Sequence, residues 1–217
     1  MEDEAGATQL QQAGLRGLPI VAQDDTYIYG TNLAQVAELV GLENYDATPV
    51  LSAPALVARY QKVLDAALRF GRQIPVEHLD DILPHRDRSY LTLINHLVQI
   101  AHDFLAITQG ESLTGRRAMS LPKENYTIDA LSARVTEANT GLSHWCQTAN
   151  DDEMRRTVDT YFGDQTLHQV LERAVWYSAQ HVRQLMMILD ILSITADTPL
   201  ESADLSDLPM PENVWDG

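Results

Sequence analysis

From residue 52 onwards, apolar residues recur at steps of three and four in successive stretches of roughly twenty residues or more, and this spacing dictates the architecture. Ser52-Ala53-Pro54 starts the first helix, with serine as cap and proline in the first turn. Leu56, Val57, Tyr60, Val63, Leu64, Ala67 and Phe70 form its face up to Gly71. The spacing predicts a second helix over Tyr90 to Thr108, a third over Thr127 to Ala149, and a fourth capped by Thr166 and running to about Ile194. A short helix over Asp151 to Thr160 and a turn at Gly163-Asp164 join the last two. Four amphipathic helices bury their stripes only against one another, so the expected core is a four-helix bundle over residues 51–195.

The flanking segments differ in kind. Residues 1–50 combine a short helical stretch over Ala7 to Ala13, two short strands around an Asp24-Asp25 turn, and a helix from Leu33 to Val40, capped by Asn32 and stopped by Gly41. The fold class is thus mainly α, a bundle with a small N-terminal α+β appendage. Residues 196–217 contain Pro199, Pro209 and Pro211 and cannot be helical throughout; they are expected to lie on the surface, held by Val214 and Trp215. The net charge of −16 is concentrated at the two ends: eight acids and one base in residues 1–50, six acids and no base in residues 196–217. That surplus disfavours nucleic acid and anionic membranes as partners, despite a local basic patch of Arg116, Arg117 and Lys123. A single cysteine, Cys146, and an acidic start with no long apolar run point to a cytoplasmic protein without a membrane span.

Within the fourth helix, Leu171, Ala174, Ser178, His181, Leu185 and Ile188 share one face, so His181 points into the core. A buried imidazole needs a hydrogen-bond or metal partner, because an unpaired polar group in an apolar interior costs roughly 1–3 kcal/mol. His96 in the second helix is a second candidate, and the two meet if their helices are neighbours. They form either a metal site or a metal-free polar cluster completed by Tyr177 or water. His102 lies six residues beyond His96, about 600° of helical turn, and so faces elsewhere. Cys146 reads as a small apolar residue, since adjacent His144 points about 100° away from it. Arg183 either clamps a carboxylate or pairs with an acid such as Glu172 or Asp190.

The run from Glu172 to Leu185, closing in Gln184-Leu185 after His181, together with a histidine in the second helix, resembles the DinB-like superfamily of metal-binding bundles. The resemblance covers about residues 52–194 and implies a three-histidine site for a divalent metal. His96 matches the first position and His181 the third, whereas Tyr177 stands at the second. A tyrosine ligates only as phenolate, and its reference pKa of about 10 works against that at neutral pH. Separately, Gly17-Leu18-Pro19-Ile20-Val21 followed by Tyr27-Ile28-Tyr29-Gly30 and a helix resembles the second half of a glutaredoxin-like domain. In that fold the loop at the proline, here Pro19, receives glutathione, but no cysteine precedes Cys146 to supply the redox chemistry.

Two functional expectations follow. One is a metal-assisted transferase or isomerase using a glutathione-like thiol. His96, His181 and Tyr177 would hold zinc, nickel or iron, and Arg183 and Pro19 would contact a small-molecule thiol or electrophile. The alternative is a non-catalytic bundle with a lapsed metal site, acting as a binding or dimerisation module. A homodimer is expected in either case, since a half-domain with exposed strand edges must dock on the bundle or pair with another chain.

Overall fold

The computed structural model describes residues 6, 8, 20–24, 26–30, 33–44, 46, 49–113 and 127–215. Near the N-terminus, β1 (Ile20–Gln23) and β2 (Thr26–Tyr29) pair antiparallel, Ile20 opposite Tyr29 and Gln23 opposite Thr26. Asp24, with φ of 52°, supplies the left-handed residue that a tight hairpin turn requires. The short helix α1 (Leu33–Leu39) follows and ends at Gly41, whose φ is +70°. Pro19, Asn32, most of the Ala7 to Ala13 stretch and the Arg116, Arg117 and Lys123 patch lie outside the described residues.

The bundle consists of α2 (Ala53–Gln73), α3 (Tyr90–Thr108), α4 (Ile128–Thr148) and α6 (Leu167–Ile191). Each begins at a side-chain cap: Ser52, Ser89, Thr127 and Thr166 accept from the backbone N–H three residues on. At Thr166 the bond is reciprocated by Gln169, completing a capping box. The core is formed by Leu56, Tyr60, Leu64, Leu97, Phe104, Leu131, Leu142, Leu171 and Leu185, all at or near zero exposure. At roughly 1.5–3 kcal/mol per large side chain buried, these stripes are the main force holding the helices together.

α2 and α3 both pack extensively on α4 and on α6, and much less on each other. The first two bundle helices are therefore diagonal partners, and the connection between them crosses the end of the bundle. That connection is folded on itself. The Leu83 N–H donates to Arg88 O at 2.9 Å, Tyr90 N–H to Asp81 O at 3.0 Å and Leu91 N–H to Leu79 O at 2.9 Å, with His85 near the tip at φ 62°. Leu79 and Leu83 are buried beneath it.

The joint between α4 and α6 departs from expectation. Helix α5 covers only Asp151–Arg155, and the chain then extends as β3 (Thr157–Val158), which pairs with β4 (Gln165–Thr166). Thr157 and Val158 are β-branched, so χ1 crowding weakens helix continuation while a short ladder fits them. Gly163, at φ +96°, turns the chain between the two strands. Beyond α6 the tail runs back along α2: Gln73 Nε2 donates to Thr195 O, Arg69 to Asp197 O and Thr198 O, and Lys62 Nζ lies 2.8 Å from Asp204 Oδ1. Among the described residues no helix is long and apolar enough to cross a membrane.

Candidate metal and anion cleft

Because α3 and α6 are neighbours, His96 and His181 meet. Their ring centroids are 5.2 Å apart, and Tyr177, one turn before His181 on α6, has its ring 4.6 Å from His181 and 6.0 Å from His96. His181 is only 5% exposed. Its Nδ1–H donates to Gln184 Oε1 at 2.9 Å, which fixes the tautomer and leaves the Nε2 lone pair free. The Nε2 atoms of His96 and His181 are both buried and have no hydrogen-bond partner among the described residues. Burial pushes both imidazoles far down, His96 to about 3 and His181 to about 4, with Arg88 and Arg173 adding in the same direction. Both rings are therefore neutral at physiological pH, the form in which a histidine binds a metal.

The cluster opens into a cleft of about 90 Å³ lined by Leu83, Arg86, Arg88, Tyr177, His181 and Gln184, with Leu93 and Gln180 completing the wall. Arg86 and Arg88 arrive from the folded connection before α3. Arg173 stands next to Tyr177, its guanidinium carbon 5.0 Å from the Tyr177 ring centre and 4.4 Å from that of Phe162. Among the described residues no acidic side chain lines the cleft.

The tail crosses the rim of this cleft. Gln180 Nε2 donates to Asn213 O at 2.9 Å and to Val214 O at 2.6 Å, and Gln184 Nε2 reaches Val214 O at 3.4 Å. The Trp215 ring lies against His85 and Arg86. Arg183 belongs to this contact. Its guanidinium donates to Gln180 Oε1, Pro211 O and Glu212 O at 2.7–3.0 Å, so it serves as a tail anchor rather than the expected clamp on a substrate or on Glu172 or Asp190.

The other candidates lie elsewhere. His102 Nε2 faces Arg134 O at 3.1 Å, between α3 and α4. Glu172 has its carboxyl raised by burial, an effect that neighbouring His168 opposes. Cys146 packs against the core, and burial raises its thiol, which suits an apolar role. Sequence reasoning missed Arg86 and Arg88. The one available signal was a pair of arginines just before the cap of the histidine-bearing helix, in an otherwise acidic chain.

Whether this donor set fits a divalent metal turns on the two orphaned Nε2 atoms. Neutral imidazole suits zinc, nickel or iron, and a buried acceptor without a partner is costly unless something meets it. The two rings offer donor atoms of a kind that suits such an ion. No group of three or more His, Cys, Asp or Glu side chains is gathered among the described residues, and within the cluster the group at the third position is Tyr177.

No family model and no curated protein sequence matches the chain. Solved structures do. YjoA of Bacillus subtilis, described as a DinB-like protein, aligns with a TM-score of 0.50 at 13% identity, over 64% of this chain and 92% of its own. YfiT of Bacillus subtilis, described as a probable metal-dependent hydrolase with an unusual four-helix bundle topology, aligns with a TM-score of 0.56 at 11% identity, over 71% of this chain and 97% of its own. Likeness at such identities is a likeness of fold. The chain has the fold of the DinB-like four-helix bundles.

Proposed function

We propose that the protein binds a divalent metal through His96 and His181, with Tyr177 at the third position, and uses it for a reaction on a small electrophilic molecule. The observation that carries this is the pair of buried Nε2 atoms on adjacent, neutral rings, with no partner among the described residues. When bound, such an ion supplies Lewis acidity that activates a thiol or a water for attack. With a glutathione-like thiol the reaction is a transfer or isomerisation; with water it is a hydrolysis, the class in which YfiT is described. The chain's own part is to hold two neutral, largely buried imidazoles side by side, to orient His181 through Gln184, and to present Tyr177 and Arg88 to whatever enters the cleft.

The test is the metal content of untagged protein purified without chelator, with His181→Ala and Tyr177→His beside it. Near-stoichiometric zinc, nickel or iron that is lost in His181→Ala supports the reading. A third imidazole in Tyr177→His is expected to raise affinity, and metal-loaded wild type is then screened for thiol transfer and for hydrolysis. Wild type that holds no metal and is not stabilised by added metal would overturn the proposal. That outcome leaves the second reading, a binding module with a lapsed site, which the absence of a third histidine at position 177 favours.

A further inference from the structure

We infer that the cleft beside His181 is an oxyanion subsite in which Arg88 binds the carboxylate or phosphate group of a small anionic substrate. The inference rests on the proposed function in placing the reaction at this cleft, and it adds the class of molecule that enters. Arg88 is half-buried in the cleft wall next to Tyr177 and His181. Several other arginines among the described residues have oxygen partners: Arg59 has Ser206 and Asp207, Arg69 the carbonyls of Asp197 and Thr198, Arg155 has Asp152. The Arg88 guanidinium has neither a hydrogen bond nor an ion pair among the described residues; burial acts against its charge, Tyr177 favours it and the nearby Arg86 opposes it. A partly desolvated cation without a counter-charge is unfavourable, and an entering anion offsets that cost through a planar, bidentate pair.

Local electrostatics agree with this assignment. The chain as a whole carries a net charge of −16, yet among the described residues no carboxylate lines the cleft. A volume of about 90 Å³ is far below that of a pocket for an extended ligand, and suits one terminal group while the remainder of the molecule lies outside. An anion held there lies beside His181, so the rest of the molecule is brought to the histidine pair.

The experiment uses the full chain after chelator treatment, so that its outcome does not depend on the metal. Sodium acetate and, separately, inorganic phosphate are titrated at fixed ionic strength while the arginine N–H and histidine resonances are followed by NMR. Saturable shifts at Arg88 are expected, and the tighter of the two probes tells carboxylate from phosphate. Arg88→Gln is expected to weaken binding by roughly tenfold to a hundredfold, the usual range for losing a charged hydrogen bond. Arg88→Lys should fall between, because it keeps the charge and loses the fork. Arg155→Gln, on the exposed surface, should bind as wild type does. Non-saturable shifts, or an Arg88→Gln protein that binds with wild-type affinity, would overturn the subsite whatever the metal content. Should Arg88→Gln fail to fold, the wild-type resonances and Arg88→Lys decide the question.

Discussion

Proton binding by His96 and His181 ties the site to stability. Burial holds their folded values at about 3 and about 4, against about 6.5 in an unfolded chain. Below about pH 6.5 the unfolded chain takes up protons that the folded one refuses, so stability is complete above that value and falls as pH drops towards 4. Each histidine contributes a slope of about 1.4 kcal/mol per pH unit in that window. Glu172, with its carboxyl raised by burial, works in the opposite sense, so the informative quantity is a difference between proteins. Urea unfolding of metal-free wild type and His181→Gln at pH 7, 6 and 5 should show a shallower acid loss in the variant; parallel curves would mean that His181 is not held neutral by the fold. The pairing of these histidines was legible because one sits on an apolar helical face and the other in a second strongly apolar helix. Arg183 was misread for a physical reason: a long side chain takes whatever acceptor is nearest in space, and that acceptor is the tail, distant in sequence. Arg88 was illegible because nothing local tells how a connection with a left-handed turn at His85 folds over a cleft.

At the scale of elements, the tail acts on the histidine through one amide. Gln184 donates to Val214 O and accepts from His181 Nδ1–H, so docking of residues 211–215 orients the amide that orients the ring. Removing residues 211–217 is expected to lower stability, since five side-chain donations to tail carbonyls disappear, from Gln180, Arg183 and Gln184. At about 0.5–1.5 kcal/mol for a bond of this kind, and less where it is solvent-exposed, a net loss of about 1–3 kcal/mol follows. Metal affinity should drop about tenfold in the same truncation and in Gln184→Leu, as is usual for a lost outer-shell partner. Competition with a calibrated chelator measures it. Unchanged affinity in both proteins would show that the His181 tautomer is fixed without the tail. The four long helices were readable to within a few residues, because each joins a hydroxyl cap to a sustained apolar period. The Gly163 turn and the Thr166 cap were also readable, but the pairing of Thr157–Val158 with Gln165–Thr166 was not, since a two-residue ladder leaves no periodic trace and is decided by its partner strand.

At the scale of the whole molecule, periodicity shows that four stripes must be buried but not which helix faces which. The diagonal placement of α2 and α3 arises from their shared packing on α4 and α6, and it is this placement that brings His96 to His181. Charge acts at the same scale. Acids dominate both ends of the chain, and the tail lays part of its surplus against bases of α2, with Lys62 on Asp204 and Arg59 at 3.7 Å from Asp207. Such exposed pairs contribute little and are screened by salt. The remaining repulsion from a net charge of −16 is spread over the surface and is also screened, and it outweighs a few local attractions. Raising sodium chloride from 0.05 to 0.5 M, concentrations chosen on either side of about 0.15 M, should therefore raise the melting temperature. A gain of about 1 kcal/mol corresponds to about 2–4 °C for a chain of this length. Scanning calorimetry at pH 7 reads it directly. A melting temperature that falls with salt would mean that the tail's ion pairs with α2 hold the molecule more firmly than its acidic surface pushes it apart.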